Sequence, residues 1–288
     1  MSKRVTNSIA LICVLCLLMC AVFAFPVSAV GDSSGDLQPS GGTPLYVNGI
    51  RIGTGISVSS ATYVPFRVFC EAVYRDIVIT WDEETGSAAA EMPDLRIEAV
   101  LGANYISANG RYFYLPFGVI MCDGALAVPL DELAQIFGAN IITDEETGTI
   151  NIDALDVYPL AQADEYYDAE DLKWLSHVIN AEAGNQPLDG MIAVGNVVLN
   201  RVADPTCPST VYDVIFDRKY GVQFSVTENG SIYLEPNEQS VIAAKICLEG
   251  YEIVGASLFF VNPDIGATSW FANHRTFVTT IGDHDFYA

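Results

Sequence analysis

The sequence predicts an α+β protein in which a small α/β module with an internal repeat precedes a mainly helical C-terminal half. Two observations lead to this prediction. A pattern of strand, helix, strand and turn signals occurs twice between residues 64 and 148, and from residue 171 onward the apolar side chains follow the spacing of helices. The chain has 288 residues, a length that suits one large or two medium domains.

The internal repeat begins with Val64-Pro65-Phe66 in its first copy and with Val128-Pro129-Leu130 in its second. In each copy an apolar segment follows and leads to a β-branched run. This order predicts a short strand that ends at proline, then a helix, then a second strand. The helices are predicted at about residues 66–74 and 130–137.

Turn residues mark the ends of the predicted strands. Each copy of the repeat ends in Glu-Thr-Gly, where Gly86 and Gly148 are expected to supply the positive φ of a tight hairpin. Asn48-Gly49 and Asn109-Gly110 predict two further hairpins for the same reason.

The helix that begins near residue 171 ends its apolar stripe with an acid. Leu175 and Ile179 share one face, and the next position on that face is Glu182. A buried carboxylate without compensation is costly, and burial raises the pKa of the carboxyl group toward the range that a general acid needs at neutral pH. The alternative is an ordinary glutamate near a helix end, partly exposed or ion-paired.

The next helix is predicted to start near Pro187 and to run to Asn200 and Arg201. Apolar side chains cover most of its circumference, which indicates a central buried helix. Asn200 and Arg201 either terminate this helix or orient groups in a cleft. A third helix is expected from about residue 236 to 248, with Gly250 after its end.

The N-terminus has the three parts of a secretory signal. Lys3 and Arg4 precede an apolar run over 9–25, and small residues lead to a predicted cleavage site after Ala29. A retained membrane anchor is the alternative for residues 1–29. The glycine- and serine-rich residues 30–44 are expected to form a flexible linker.

The charge and the cysteines narrow the class of protein. The chain has 36 acidic and 13 basic side chains and a net charge of −23, which excludes a nucleic-acid binder because phosphates would be repelled.

After removal of the signal, four cysteines remain, two in each half of the chain. They are expected either as the disulfides Cys70–Cys122 and Cys207–Cys247 or as four buried free thiols.

The repeat region resembles the copper amine oxidase N-terminal-like domain over about residues 45–153. The resemblance rests on Tyr46-Val47-Asn48-Gly49, the two Val-Pro starts and the strand end at Trp81-Asp82. All three histidines lie outside this segment, so no copper site or other cofactor is expected. The resemblance implies an accessory role with a wall or protein partner, and residues 154–170 are expected to form a solvated linker.

Residues 171–288 resemble the cell wall hydrolase family of the spore cortex-lytic enzyme SleB. Four motifs in the right order support the resemblance: Ala181-Glu182-Ala183-Gly184, Val197-Val198-Leu199-Asn200-Arg201, Gln223-Phe224-Ser225, and Ile281-Gly282-Asp283-His284-Asp285-Phe286-Tyr287. The resemblance implies a lysozyme-like fold, action on peptidoglycan and Glu182 as the catalytic acid. Many members have a second acid where this chain has Gln186, so a single-acid mechanism is expected.

Six further residues are predicted to bind substrate in the cleft: Asn200, Gln223, Phe224, Trp270, His284 and Tyr287. Trp270 lies in a predicted loop among polar neighbours and is the preferred residue for stacking on sugars. Interior packing is the alternative for Phe224 and Phe271. For His284 and Tyr287 the alternative is that they close the fold. No metal site is expected, since the histidine spacing does not match a helical zinc motif.

These features together predict a secreted enzyme of the cell wall or spore envelope of a Gram-positive bacterium. It is expected to cleave the β-1,4 bond between N-acetylmuramic acid and N-acetylglucosamine in vegetative wall or spore cortex, as a lytic transglycosylase. Admission of water would make the same site a muramidase. The alternatives are an amidase that cuts the muramyl–L-alanine bond and a wall-binding protein without activity.

Overall fold

The computed structural model describes residues 42–155, 160–219, 221–264 and 268–288. The predicted signal peptide at 1–29 and most of the predicted linker at 30–44 lie outside the described residues. Strands fill the N-terminal part of the described chain and helices dominate the C-terminal part, which confirms the predicted α+β class. In the described ranges, no helix combines the length and the apolar character needed to cross a membrane.

The N-terminal module contains two helices, α1 (Phe66–Val73) and α2 (Leu130–Phe137), which lie where the repeat predicted them. Its strands are β1 (Thr43–Val47), β2 (Ile50–Val58), β3 (Ala61–Pro65), β4 (Val78–Asp82), β5 (Ser87–Met92), β6 (Leu95–Val100), β7 (Tyr105–Ala108), β8 (Arg111–Tyr114), β9 (Ile120–Cys122), β10 (Ala125–Pro129), β11 (Asn140–Asp144) and β12 (Thr149–Asp153).

These strands form two sheets. One has the order β11-β12-β1-β2-β3-β10-β9, in which only the β1–β12 pair is parallel, and the other has the antiparallel order β4-β5-β6-β7-β8. The internal repeat is visible in the pairing, because the first strands of the two copies lie side by side with Val64 opposite Val128. The two sheets and both helices share one apolar core.

The hairpins form as the turn residues predicted. In both copies an aspartate ends the strand, and its side chain accepts hydrogen bonds from backbone N–H groups two and three residues on, at 2.9 and 3.3 Å for Asp82 and at 2.9 and 3.2 Å for Asp144. Gly86 and Gly148 both have a φ of 63°. The left-handed conformation therefore falls on glycine, where it meets no Cβ clash.

The C-terminal region contains α3 (Ala163–Tyr166), α4 (Ala169–Ala183), α5 (Leu188–Ala203), α6 (Val211–Ile215), α7 (Val226–Asn229), a 3₁₀ turn (Ser231–Tyr233), α8 (Glu238–Leu248) and α9 (Thr268–His274). A small antiparallel sheet of order β13-β15-β14 follows, built from β13 (Phe259–Val261), β14 (Phe277–Ile281) and β15 (His284–Tyr287).

Helices α4, α5 and α8 pack against one another around a second apolar core. Asp168 caps α4 by accepting hydrogen bonds from the Glu170 and Asp171 N–H groups. A Cβ on Gly195 of α5 would lie 2.7 Å from the Cys247 sulfur and 2.9 Å from Ile179. This glycine thus permits the close approach of the three helices.

Each of the four cysteines outside the predicted signal peptide is a free thiol, so neither predicted disulfide is formed. Cys247 lies in the helical core, where its sulfur is 3.4 Å from the Ile192 carbonyl oxygen. Cys207 lies in the loop after α5, outside that core. The alternative of four buried free thiols is confirmed for Cys70 and Cys247, and it is wrong in the burial of Cys122 and Cys207, which are only half-buried.

A buried ion pair joins the module to the helical region. Arg111 of β8 donates hydrogen bonds from Nε and Nη2 to the two carboxylate oxygens of Glu249, at 2.8 and 2.6 Å. Their side chains are only 8% and 5% exposed. Tyr167 is buried and donates a third hydrogen bond to Glu249, at 2.5 Å. The expectation of a solvated linker at 154–170 is therefore wrong at Tyr167, which is buried where its hydroxyl contacts the Glu249 carboxylate.

Tyr114, at the end of β8, makes the second contact between the two regions. Its hydroxyl donates a 2.5 Å hydrogen bond to Asp189 in the first turn of α5, and its ring lies 4.4 Å from that of Tyr251. The Tyr114 side chain belongs to the apolar core of the helices. Thus an edge strand of the module covers the start of α5 and the end of α8.

We expect Arg111→Ala to lower the free energy of unfolding by about 3–5 kcal/mol, because it leaves Glu249 as a buried charge without its cation. Urea denaturation of the full chain at neutral pH measures this change. The double variant Arg111→Met, Glu249→Leu removes both charges and should recover most of the loss.

Arg67→Ala is the matched control. Arg67 lies on the same module, and its ion pair with Glu71 is exposed, so its removal should cost less than about 1 kcal/mol. If Arg111→Ala and Arg67→Ala lower the free energy of unfolding equally, the contact between the module and the helices does not stabilise the protein.

Candidate active site

A cleft of about 760 Å³ opens in the helical region, beside the end of α4. The turn between β14 and β15, the segment before α7 and the strand β13 form its other walls. Its lining consists of Glu182, Asn185, Gln186, Arg201, Val222, Gln223, Phe224, Ser225, Phe260, Val261, Asn262, Asp283 and His284. This mixture of polar and aromatic groups suits a ligand with many hydroxyl and amide groups.

Glu182 is placed in this cleft by the apolar face of α4. Leu175 and Ile179 lie in the core on that face, so the next position on it points the Glu182 side chain along the same direction, at the helix end. Burial raises the pKa of Glu182 from its ordinary value of 4.5 to about 7. No hydrogen bond or ion pair to its carboxyl group is found among the described residues. The group is therefore protonated in a large fraction of molecules at neutral pH.

Gln186 connects the loop after α4 to the turn between β14 and β15. Its Nε2 donates a 2.8 Å hydrogen bond to Asp283 Oδ2, and its Oε1 accepts a 3.1 Å hydrogen bond from the Asp283 N–H. A glutamate at this position would lack the donor and would face the Asp283 carboxylate. The Gln186 amide thus holds the turn against the cleft.

His284 follows this turn and lies inside the cleft wall. Its ring meets the Phe260 ring edge-on at a centroid distance of 5.3 Å. Burial lowers the pKa of His284, and the nearby Asp283 offsets part of that effect. Its Nδ1 is buried without a hydrogen-bond partner in the described part of the chain. The imidazole is neutral at neutral pH and retains one polar atom to satisfy.

Gln223 and Phe224 both line the cleft, but in different ways. Gln223 is half-buried, and its amide donates a 3.1 Å hydrogen bond to the Gly221 carbonyl oxygen. Phe224 is fully buried and packs against Phe260 at 6.3 Å and beneath the Arg201 guanidinium. Its alternative, interior packing, describes the structure.

Three predicted binding residues, Asn200, Tyr287 and Trp270, lie outside the lining of this cleft. Asn200 donates hydrogen bonds to the Gly255 and Ser257 carbonyl oxygens at 2.7 and 3.1 Å, which fixes the loop after α8. Tyr287 is buried in the small sheet, where its ring meets Phe277 at 5.7 Å. These contacts give both residues structural roles.

The prediction of a loop around Trp270 is wrong, because Trp270 lies on the helix α9. Its side chain is 51% exposed and stacks on His274 at 4.7 Å with an interplanar angle of 15°. The side chain of Phe271 lies outside the described residues. Trp270 is not among the described residues that line the cleft.

Sequence reasoning missed several residues of the site. Asp283 and Phe260 line the cleft beside His284, and neither was selected. The signal for Asp283 was present in the C-terminal motif, directly before His284. Phe260 carried no such signal, since only the pairing of β13 with β15 brings it to the cleft. In the described ranges no three metal-ligating side chains lie together.

The comparisons with known proteins concern both halves of the chain. Residues 185–287 match the Cell Wall Hydrolase family. The C-terminal half of the chain carries a cell wall hydrolase domain. Residues 47–152 match the copper amine oxidase N-terminal domain, so both predicted resemblances are confirmed. The family match begins three residues after Glu182, and the predicted domain limits stay predictions.

The relatives of the hydrolase domain include several spore cortex-lytic enzymes. The chain is 32% identical to that of Bacillus cereus over 120 residues and 30% identical to that of Oceanobacillus iheyensis over 128 residues. These matches cover 42% and 44% of this chain and 45% of each relative. The chain thus spans less than half the length of these relatives.

Two solved structures are also similar. They are the catalytic domain of the germination-specific lytic transglycosylase SleB from Bacillus anthracis, at 34% identity, and the catalytic domain of the Bacillus cereus SleB protein, at 32% identity. The matches cover 42% of this chain and 97% and 92% of those chains, each with a TM-score of 0.38.

We expect Glu182→Gln to stabilise the fold at alkaline pH. Because the folded-state pKa of Glu182 lies above its ordinary value, the native protein binds an extra proton between about pH 4.5 and 7 and loses stability as the pH rises through this range. Relative to the unsubstituted protein, the variant should gain on the order of 1–3 kcal/mol at pH 8 and nothing at pH 4. Urea denaturation at both pH values measures the difference.

Glu170→Gln, at the exposed start of the same helix, is the control and should show no such pH-dependent gain. A Glu182→Gln variant that is no more stable than the unsubstituted protein at pH 8 would mean that the carboxyl group is well solvated.

Proposed function

We propose that the protein is an exported lytic transglycosylase that cleaves the β-1,4 bond between N-acetylmuramic acid and N-acetylglucosamine. One observation carries the proposal: a desolvated carboxyl group, Glu182, faces an open polar cleft in a cell wall hydrolase domain. A pKa of about 7 suits a group that must give a proton and take one back in a single turnover. The predicted signal peptide at 1–29 supports export.

In the proposed reaction, the protonated Glu182 donates its proton to the glycosidic oxygen. The bond between that oxygen and the muramyl C1 breaks, its electron pair leaves with the oxygen, and C1 develops oxocarbenium character. The C6 hydroxyl oxygen of the same sugar then bonds to C1 and closes a 1,6-anhydro ring. The Glu182 carboxylate takes the hydroxyl proton, which restores the acid without water or a protein nucleophile.

The remaining cleft groups fit a sugar chain. Asn185, Gln223, Ser225 and Asn262 present amide and hydroxyl groups for hydroxyl and N-acetyl groups, and Phe260 presents an aromatic edge. The relatives are named spore cortex-lytic enzymes, which supports cortex peptidoglycan as the substrate. We place the protein in the cell wall or spore envelope on the same grounds.

Hydrolysis at the same site is the second candidate function, because a second carboxylate lines the cleft. Asp283 is able to orient water for attack at C1, as in two-carboxylate glycosidases. Transglycosylation is favoured, because Asp283 Oδ2 already accepts a hydrogen bond from the Gln186 side-chain amide. The Asp283 backbone N–H also donates a hydrogen bond to the same side chain.

Mass spectrometry of peptidoglycan digests tests the proposal. Purified cortex and vegetative peptidoglycan should both be offered, and we expect anhydro-muramyl ends, released faster from cortex. Reducing muramic ends would indicate the muramidase, and free stem peptides the amidase. Binding without any released product would contradict an enzymatic role.

Glu182→Gln should lower product release by at least about 100-fold, and the rate of the unsubstituted protein should fall above about pH 7 as the acid ionises. Glu170→Gln on the same helix should leave both the rate and its pH profile unchanged. Undiminished release by a folded Glu182→Gln variant would remove Glu182 from the mechanism.

A further inference from the structure

Arg201 is a buried cation in the cleft that the proposed mechanism does not use. Its side chain lies between two aromatic rings, with the guanidinium carbon 5.1 Å from the Phe224 ring centre and 5.3 Å from that of Phe259. The residue is 8% exposed and belongs to the cleft lining. Among the described lining residues it is the only lysine or arginine.

The guanidinium is held at one end and unpaired at the other. Its Nε donates a 2.7 Å hydrogen bond to the Leu258 carbonyl oxygen. The two terminal nitrogens donate to no group in the described part of the chain, and neither is fully shut off from solvent. No described carboxylate forms an ion pair with Arg201; the Asp217 carboxylate and the Cys207 thiol act on it only through space. The free fork of donors therefore opens into the cleft.

Arg201 and Glu182 both line the cleft. No ion pair joins them, and burial alone accounts for the perturbed acid, without a contribution from the cation. A charge that is buried without a partner is costly, and such groups persist where a ligand supplies the partner. A guanidinium fork matches a carboxylate in two parallel hydrogen bonds.

We propose that Arg201 binds a carboxylate of the muramyl unit and so selects strands that carry a free carboxylate near the scissile bond. The inference rests on the proposed peptidoglycan substrate. The net charge of −23 gives the protein no general attraction for an anionic strand, so recognition requires a local cation such as this one. Two sources supply the group: the lactyl carboxylate of an unsubstituted muramic residue, or the terminal carboxylate of its peptide.

Three small probes distinguish these sources: N-acetylmuramic acid, N-acetylmuramyl-L-alanine and N-acetylmuramyl-L-alanine amide. Titration of the full chain, followed by NMR or calorimetry, should show one acid binding about 10- to 100-fold more tightly than the amide. Tightest binding of N-acetylmuramic acid identifies the lactyl group, and tightest binding of N-acetylmuramyl-L-alanine identifies the peptide. Equal affinities for all three, or no measurable binding of any, would overturn the proposal.

Arg201→Gln should bring the three affinities to the same low value, and Arg201→Lys should keep part of the preference because it keeps the charge. Arg218→Gln, which removes an exposed arginine paired with Glu228, is the matched control and should leave the preference intact. If Arg201→Gln does not fold, the comparison of the probes on the unsubstituted protein still decides. These titrations measure binding and do not require catalysis. If the protein binds the acids but releases no product, the proposed function is refuted and the proposal for Arg201 still stands.

Discussion

The burial of the Glu182 carboxyl group without a compensating partner in the described part of the chain is the physical constraint on which the proposed chemistry depends. The apolar face of α4 determines where this side chain points, and the cleft keeps its oxygens reachable from solvent. Desolvation without a nearby cation favours the neutral form. An ion pair with Arg201 would cancel this effect, and the structure keeps the two groups apart.

The rest of the cleft is held around this group by a few polar contacts. Gln186 fixes the turn that carries Asp283 and His284, and Asn200 fixes the loop that leads to β13. The N-terminal module supports the helices next to the cleft, because the Tyr114 hydroxyl donates a hydrogen bond to Asp189 at the start of α5. The N-terminal module thus contacts the scaffold of the hydrolase domain at the start of α5 and the end of α8.

Local patterns predicted the elements well, and the site only in part. Three features depend on near neighbours in sequence and were therefore visible in it. They are the helix starts after Val-Pro, the Asn-Gly hairpins and the apolar stripe leading to Glu182. Asn200 and Tyr287 were assigned to the cleft by motif. Gly255, the partner of Asn200, lies 55 residues away in sequence, and Tyr287 packs on Phe277 across the β14–β15 hairpin, which the motif does not reveal. The pairing of Arg111 with Glu249 spans the two regions, and no local pattern encodes it.

Whether Glu182 can act as the acid at neutral pH depends on the pKa of its carboxyl group. NMR titration of the full chain with isotope-labelled glutamate carboxyl carbons gives it, and the Glu182→Gln variant assigns the resonance. We expect a pKa of about 7 for this group. A pKa near the ordinary value of 4.5 would contradict it, because Glu182 would then be ionised at neutral pH and unable to act as the acid.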